Sequence, residues 1–589
     1  MNYPQKWDLS SVYPSIECKE FQGDLQSLET AIAPLVAQVL ALPTESVPGP
    51  WEAFFTAWEA QGLLMNQVGV YVNCLASADT EDPRYPALLG NLSSLGAKAA
   101  EISIHLRQKL GTMGQTTYES LLANSPKLKE IRFSLDEIRT QAQYMMDGPR
   151  EKLAADLGVD GITAWGRLYT TLSGKLKVHV MEKSVLVEKS VGQVRTDSAE
   201  PTVRKNNFYA ADKAWQKIED SCAGAINAIA GTRLTLYKNQ GYHHFLDKPL
   251  QDNRLNRTSL EAMWQAVSDR KTMLVPYLQK KARILGLEKL AWYDQVAPLG
   301  TGTIDFDSAA DLVVQEFSKF SPDMGTFAQQ ALEKGFVESE DRTGKRPGAY
   351  CTKFLSRKEP RVFMTFSGTY DSMSTLAYEL GHAYHGFILK DQPIPLQTYV
   401  MSTAETASTF AEEIVTDYLI GQAPNPRDRL AMLDKSLADA MIMMMNIHAR
   451  FLFESEFYTA RAKGEVRVDQ LNDLMLQAQK TAFLDQLSAY DPRFWVNKLH
   501  FYISGLSFYN FPYTFGYLFS TGLFARAKVE GPAFTDTYKK ILLATGTMNT
   551  EEVIRSTLGE DIGQVDFWNK SLDLIETRVQ EFCTLADQM

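Results

Sequence analysis

No apolar run in this chain approaches the roughly 20 residues that a bilayer-spanning helix needs. The opening stretch, MNYPQKWDLSSVYPSIECKE, lacks the basic start and apolar core of a secretory leader, so none is read there. Cysteine is scarce: five residues, Cys18, Cys74, Cys222, Cys351 and Cys583, lie scattered along 589 positions. That spacing excludes a disulfide framework or a thiolate metal cluster and suits reduced thiols, so the expected compartment is cytoplasmic. Positive charge is in the minority too. Against 60 Lys and Arg stand 71 Asp and Glu, a formal net charge of −11, which argues against a nucleic-acid or anionic-membrane partner. There is no fixed-period repeat and no low-complexity tract.

Helical periodicity is what the chain has most of. Residues 19–41 place apolar side chains at three- and four-residue intervals around Pro34. Pro43, Pro48 and Pro50 then interrupt the pattern, which resumes at Trp51 and runs to about residue 76. Further helical segments are predicted over 84–110, 115–124, 131–146, 211–237 and 259–285. Strand patterns are confined to 176–187, 351–355 and 361–366. The polar stretch 188–205 marks a boundary, giving an N-terminal helical lobe over 1–195 and a second lobe over 196–589. Length alone allows roughly three to five domains, so each lobe is read as fused units. The expected fold class is mainly α, with a small β-sheet beside the chemistry.

The segment 374–386 reads STLAYELGHAYHG. A zincin helix carries H-E-x-x-H: two His four residues apart share a face and bind zinc, while the Glu acts as general base on the bound water. Glu379 and His382 are in that register, but Tyr378 stands where the first His would. Y-E-x-x-H by itself arises easily by chance, and its plainest reading is a helix with one polar face.

With its flanks, the segment resembles the oligoendopeptidase F branch of the thimet-oligopeptidase-like zinc metallopeptidases. Their metal helix typically reads T-L-A-H-E-L-G-H-A-Y-H, and residues 375–385 fit it except at Tyr378. The resemblance extends to 349–366 (AYCTKFLSRKEPRVFMTF), to 202–241 and to the N-terminal MNYPQKWDLSSVY, and so spans essentially the whole chain. It implies a two-lobed zincin-type peptidase whose deep channel admits short unstructured peptides and excludes folded proteins. It also implies one zinc ion, held by His382, by Glu405 on a following helix 23 positions later, and at position 378. The family stabilises the tetrahedral oxyanion with a His and tyrosines in the region 490–522, which here points to His500, Tyr509, Tyr513 and Tyr517. The plainer reading of that segment is an aromatic core helix opened by Pro512.

Tyr378 leaves three readings open: an inactivating substitution in an otherwise intact enzyme, a tyrosinate ligand, or a natural non-catalytic relative that binds peptides. The first is favoured because so much of the surrounding motif survives. The function read from the sequence is a zinc-dependent endopeptidase acting on short oligopeptides and impaired by Tyr378; the alternative is a peptide-binding relative of the same fold. His385 is expected to be a packed histidine and not a ligand. Glu412 shares the Glu405 helix face, where it either orients a ligand or faces solvent. The strand 361–366 could pair with an extended peptide by strand addition, with a plain strand-to-helix turn as the equal alternative. Gly368 suits either close approach of a substrate backbone or a plain strand-to-helix turn. The MIMMM run at 441–445 reads as adaptable core, and His243 and His244 have no assigned role.

Overall fold

The computed structural model describes residues 2–182, 185–194, 198–300 and 302–588. Three long helices open the chain: α1 (Lys19–Ala41), α2 (Pro48–Ala78) and α3 (Arg84–Thr112). Along α1 the buried residues Phe21, Leu28, Ile32, Leu35 and Val39 form one stripe, as its periodicity requires. Pro48 and Pro50 do not delay α2 but start it. Proline suits the first turn, where its missing N–H would have no partner, so the helix begins three residues before Trp51.

The interior divides into three apolar clusters. One holds Leu35, Trp51, Phe54, Leu106 and Tyr118 within the first lobe. A second joins Trp7, Tyr13, Phe21 and Tyr71 to Phe354 and Phe363 of the small sheet, so that sheet rests on the N-terminal helices. The largest gathers Tyr169, Leu176, Val178 and Val180 with most of the later helices, through to Phe582. The expected lobe boundary at 195/196 lies outside the described residues. Among the described residues no helix is long and apolar enough to cross a membrane.

The stretch 176–187 is not one strand. It forms β1 (Lys177–Glu182), paired antiparallel with β2 (Val185–Ser190), and the intervening 183–184 lie outside the described residues. The second sheet comprises β3 (Val337–Glu338), β4 (Tyr350–Phe354) and β5 (Glu359–Phe363), in the order β3-β5-β4. β5 pairs parallel with β3 and antiparallel with β4. The reading in which 361–366 pairs with a peptide is therefore overturned: both edges of β5 are taken, and the sheet's free edge belongs to β4.

Gly368 takes φ 74° and its carbonyl accepts from Ile304 N–H at 3.0 Å, so it serves a strand-to-helix turn. Thr369 then caps α4 (Tyr370–Leu389) by accepting from Ser372 N–H at 3.2 Å. α4 crosses α5 (Met401–Gln422), and α5 in turn packs on α6 (Phe511–Glu530). Two glycines permit these approaches. A Cβ on Gly381 would lie 2.5 Å from the Ala407 carbonyl oxygen, and one on Gly516 would lie 2.6 Å from Glu405 Cβ. Gly381→Ala should therefore cost about 1–3 kcal/mol of stability through overpacking. The check is the denaturant midpoint: it should fall with an unchanged slope, and an unaltered midpoint would show that the crossing has room to spare.

Candidate active site

The α4–α5 crossing brings His382 Nε2 to 3.6 Å from Glu405 Oε2. Tyr378 lies one turn before His382, its ring centre 4.9 Å from the imidazole, and its hydroxyl donates a short hydrogen bond to Glu405 Oε2. The same oxygen accepts from Ser408 Oγ at 2.7 Å. Burial first, then the charge of Glu405, pushes the Tyr378 phenol far above its ordinary value, so its proton stays on. Glu379 is buried, and its Oε2 has no hydrogen-bond partner. Burial, followed by the nearby Glu405 charge, pushes its carboxyl up to about 8. Burial depresses His382, partly offset by Glu405 and the Ala404 carbonyl, which leaves the ring neutral.

His382 and Glu405 thus converge, with Tyr378 between them. Among the described residues no group of three or more His, Cys, Asp or Glu side chains is arranged to hold a metal. Position 378 holds a neutral phenol whose proton is committed to the very carboxylate a metal would need. Catalytic zinc takes three protein ligands in deprotonated or neutral-imidazole form, so the donor set present does not fit one.

The aromatic residues expected opposite this helix do come together. Tyr513 and Tyr517 line a cavity of about 140 Å³ with Tyr378, Glu405, Glu412 and Lys435. Tyr517 is buried, and burial with the charge of Glu413 drives its phenol well up. Tyr513 donates to the Tyr509 hydroxyl at 3.3 Å, and the His500 ring lies 4.8 Å from that of Tyr509. His500 sits on the 3₁₀ turn Leu499–Tyr502, with Nδ1 2.6 Å from Asn510 Oδ1. Asn510 Oδ1 also accepts from Arg450 Nη1 at 3.0 Å, which fixes the amide's orientation and puts the imidazole proton on Nδ1. Burial lowers His500 to about 4, so near neutral pH its Nε2 is an acceptor. With its proton given to Asn510, the neutral imidazole has no further N–H to offer.

His385 is fully buried, stacked at 4.0 Å on Tyr399 and bonded through Nε2 to Thr545 Oγ1 at 2.9 Å, as a packing residue should be. Glu412 is half-buried in the wall of the 140 Å³ cavity, with Lys435 Nζ 3.3 Å from it. Met441, Met444 and Met445 are in the core. The His243 and His244 backbone N–H groups donate to Asp247 at 2.9 and 2.8 Å.

On the other side of α4, a cavity of about 520 Å³ separates the helix from β4. Its lining includes Tyr378, Glu379 and His382, together with Cys351, Lys353 and Tyr399. Sequence reasoning missed the last three. Their spacing carries no motif, and only the strand order reveals that β4 faces the cavity.

Comparison with known proteins adds a family. The sequence model for Peptidase family M3 matches residues 194–574, and that for Oligopeptidase F matches 109–177. An oligoendopeptidase F homolog of Lactococcus lactis subsp. lactis is 22% identical over 602 residues, covering 99% of this chain and 97% of the relative. Oligopeptidase PepF of Bacillus subtilis is 21% identical, over 98% of this chain and 86% of its own length. Among solved structures, a putative peptidase from Chlamydophila abortus superposes with a TM-score of 0.83 at 20% identity, over 99% of this chain and 98% of the other. The oligoendopeptidase-F from Enterococcus faecium does so with a TM-score of 0.73 at 19% identity, over 97% and 99%. These likenesses carry the same mainly α fold with small sheets.

The buried His385 makes stability pH-dependent. An unfolded imidazole titrates near 6.5, whereas burial and then the Lys353 charge lower folded His385 to about 3. Between those values the unfolded chain binds more protons, so stability is lost as pH falls below about 6.5, by at most roughly 1.4 kcal/mol per pH unit for one histidine. Denaturant midpoints at pH 7 and pH 5 should show the drop, and His385→Gln should flatten part of it. An unchanged slope would mean that other groups carry it.

Proposed function

Because the chain belongs to peptidase family M3, we propose that it is built as a zinc-dependent endopeptidase for short, unstructured oligopeptides and that Tyr378 impairs its metal site. The observation that carries the reading is the hydroxyl of Tyr378 donating to Glu405 beside His382. With His at position 378, that position, His382 and Glu405 would take the ligand roles, and Glu379 the acid–base role. Tyr509, Tyr513 and Tyr517 serve as oxyanion donors, with His500 packed against them. The lobes 1–195 and 196–589 flank the channel.

Two features support the peptide as ligand. β4 offers a free strand edge to the 520 Å³ cavity, where an extended peptide could pair alongside Glu379 and His382. The cavity also reaches Asn66 of α2, so both lobes contribute to its walls. The impairment has a direct physical cause: the phenol withholds a ligand and donates its proton to the Glu405 carboxylate.

One observation favours the second reading, a peptide binder without catalysis: the Tyr378 hydroxyl donates to Glu405, so the two side chains satisfy each other by hydrogen bonding. Replacing Tyr378 by His separates the two. Zinc stoichiometry and cleavage of a quenched peptide are measured on both forms under matched metal supply. Tyr378→His should bind zinc and turn over peptide better by more than the 10–100-fold typical of losing a partner behind the ligands, because a ligand itself is at stake. Full occupancy and equal turnover in the unaltered chain would overturn the impairment. Peptide binding with neither form active would support the binder.

A further inference from the structure

Lys353 occupies the fourth position of β4 and lays its stem over α4: a Cβ built on Gly386, one turn past His382, would lie 3.5 Å from Lys353 Cδ. Its ammonium donates to the Gln397 carbonyl at 2.8 Å and sits 5.7 Å from the centre of the Tyr399 ring. Lys353, Gln397 and Tyr399 all line the 520 Å³ cavity that also holds Glu379 and His382.

Among the described residues no carboxylate comes within ion-pair distance of Lys353. Other charges of this cavity are already matched: Lys358 pairs with Asp391 at 2.5 Å, and Glu359 with Arg361 at 3.1 Å. Lys390, the third lysine of the lining, lies over the Phe387 ring at 3.4 Å. Burial lowers the Lys353 ammonium below its ordinary value, and the one ionisable neighbour that offsets this is the Cys351 thiol. A half-buried ammonium satisfied only by a carbonyl and a ring face has paid for desolvation without gaining a counter-ion.

We infer that Lys353 is a specificity-determining residue which binds a carboxylate of the peptide lying along β4, from an acidic side chain or a free C-terminus. The inference rests on the peptide-channel reading above. Side chains opposite one another on paired antiparallel strands have Cβ atoms about 4.5–5.5 Å apart, so a ligand residue across from Lys353 is within reach of its ammonium. The tetrahedral ammonium keeps two further N–H donors beyond the one given to Gln397. A hydrogen bond between two ionised partners is about twice as strong as a neutral one.

The test measures binding of end-labelled peptides to the full chain by fluorescence anisotropy. Three peptides of one sequence are compared: neutral with an amidated C-terminus, the same with one Glu, and the neutral sequence with a free C-terminus. At least one carboxylate-bearing peptide should bind on the order of 10-fold or more tighter than the neutral amide. The arm that gains identifies the source. Lys353→Met should abolish the preference, with its circular dichroism spectrum and thermal midpoint compared with the unaltered chain as the folding control; Lys353→Arg should retain the preference. A carboxylate preference that survives Lys353→Met, or neutral peptides bound with no preference at all, would overturn the role of Lys353 and leave the channel reading standing. Failure of every peptide to bind the unaltered chain would overturn both.

Discussion

The close crossing of α4 and α5 is the constraint on which the candidate site depends. At Gly381 the helices approach until a single added carbon would meet the Ala407 carbonyl, Ala411 and Ser408 together. One turn of α4 further back is Glu379's neighbour Tyr378, and the facing turn of α5 carries Glu405. The separation of His382 and Glu405 is therefore set by backbone contact, a stiff coordinate, and not by side-chain choice. α6 fixes the other flank in the same way, with Gly516 against Glu405 and Ser520 Oγ donating to the Glu405 carbonyl at 2.8 Å. The carboxylate is wedged between two helices before any ligand arrives.

Electrostatics explains why so many acids around it are tolerable. Glu413 is held by Arg578 through two contacts, at 2.6 and 3.2 Å. Lys435 serves Glu412 at 3.3 Å, Asp439 at 3.2 Å and Asp371 at 3.5 Å. Glu405 has no such cation and relies on hydroxyls from Tyr378 and Ser408. Glu379 has neither, and its raised pKa is the consequence: an unpartnered buried carboxyl keeps its proton sooner than bear a charge. Tyr378 and Ser408 together satisfy Glu405 Oε2 by hydrogen bonding.

Much of this was legible beforehand. The register of Glu379 with His382, the helix of Glu405, the first-turn role of Pro512 and the packed character of His385 all follow from spacing and residue type. β4 and β5 were found to within a few residues, whereas 176–187 was read as one strand where β1 and β2 stand, and β3 went unread. What failed was the assignment of the peptide-pairing strand to 361–366. Alternation of side chains marks a strand but says nothing of its neighbours, and β5 has one on each side. His500 shows the same limit. Its place beside Tyr509 was readable, whereas its protonation depends on Asn510, Arg450 and Lys498, which meet it only on folding.

The sequence by itself determined the helical periodicity, the motif with its substituted ligand position and the family resemblance, because each is carried by short-range spacing along the chain. Only the tertiary structure decided that Tyr378 donates to Glu405, that β4 presents the free edge, and that Lys353 stands without a counter-ion. Those facts depend on contacts between segments dozens of residues apart, where burial and distance, not residue type, set which groups are paired and which remain alone.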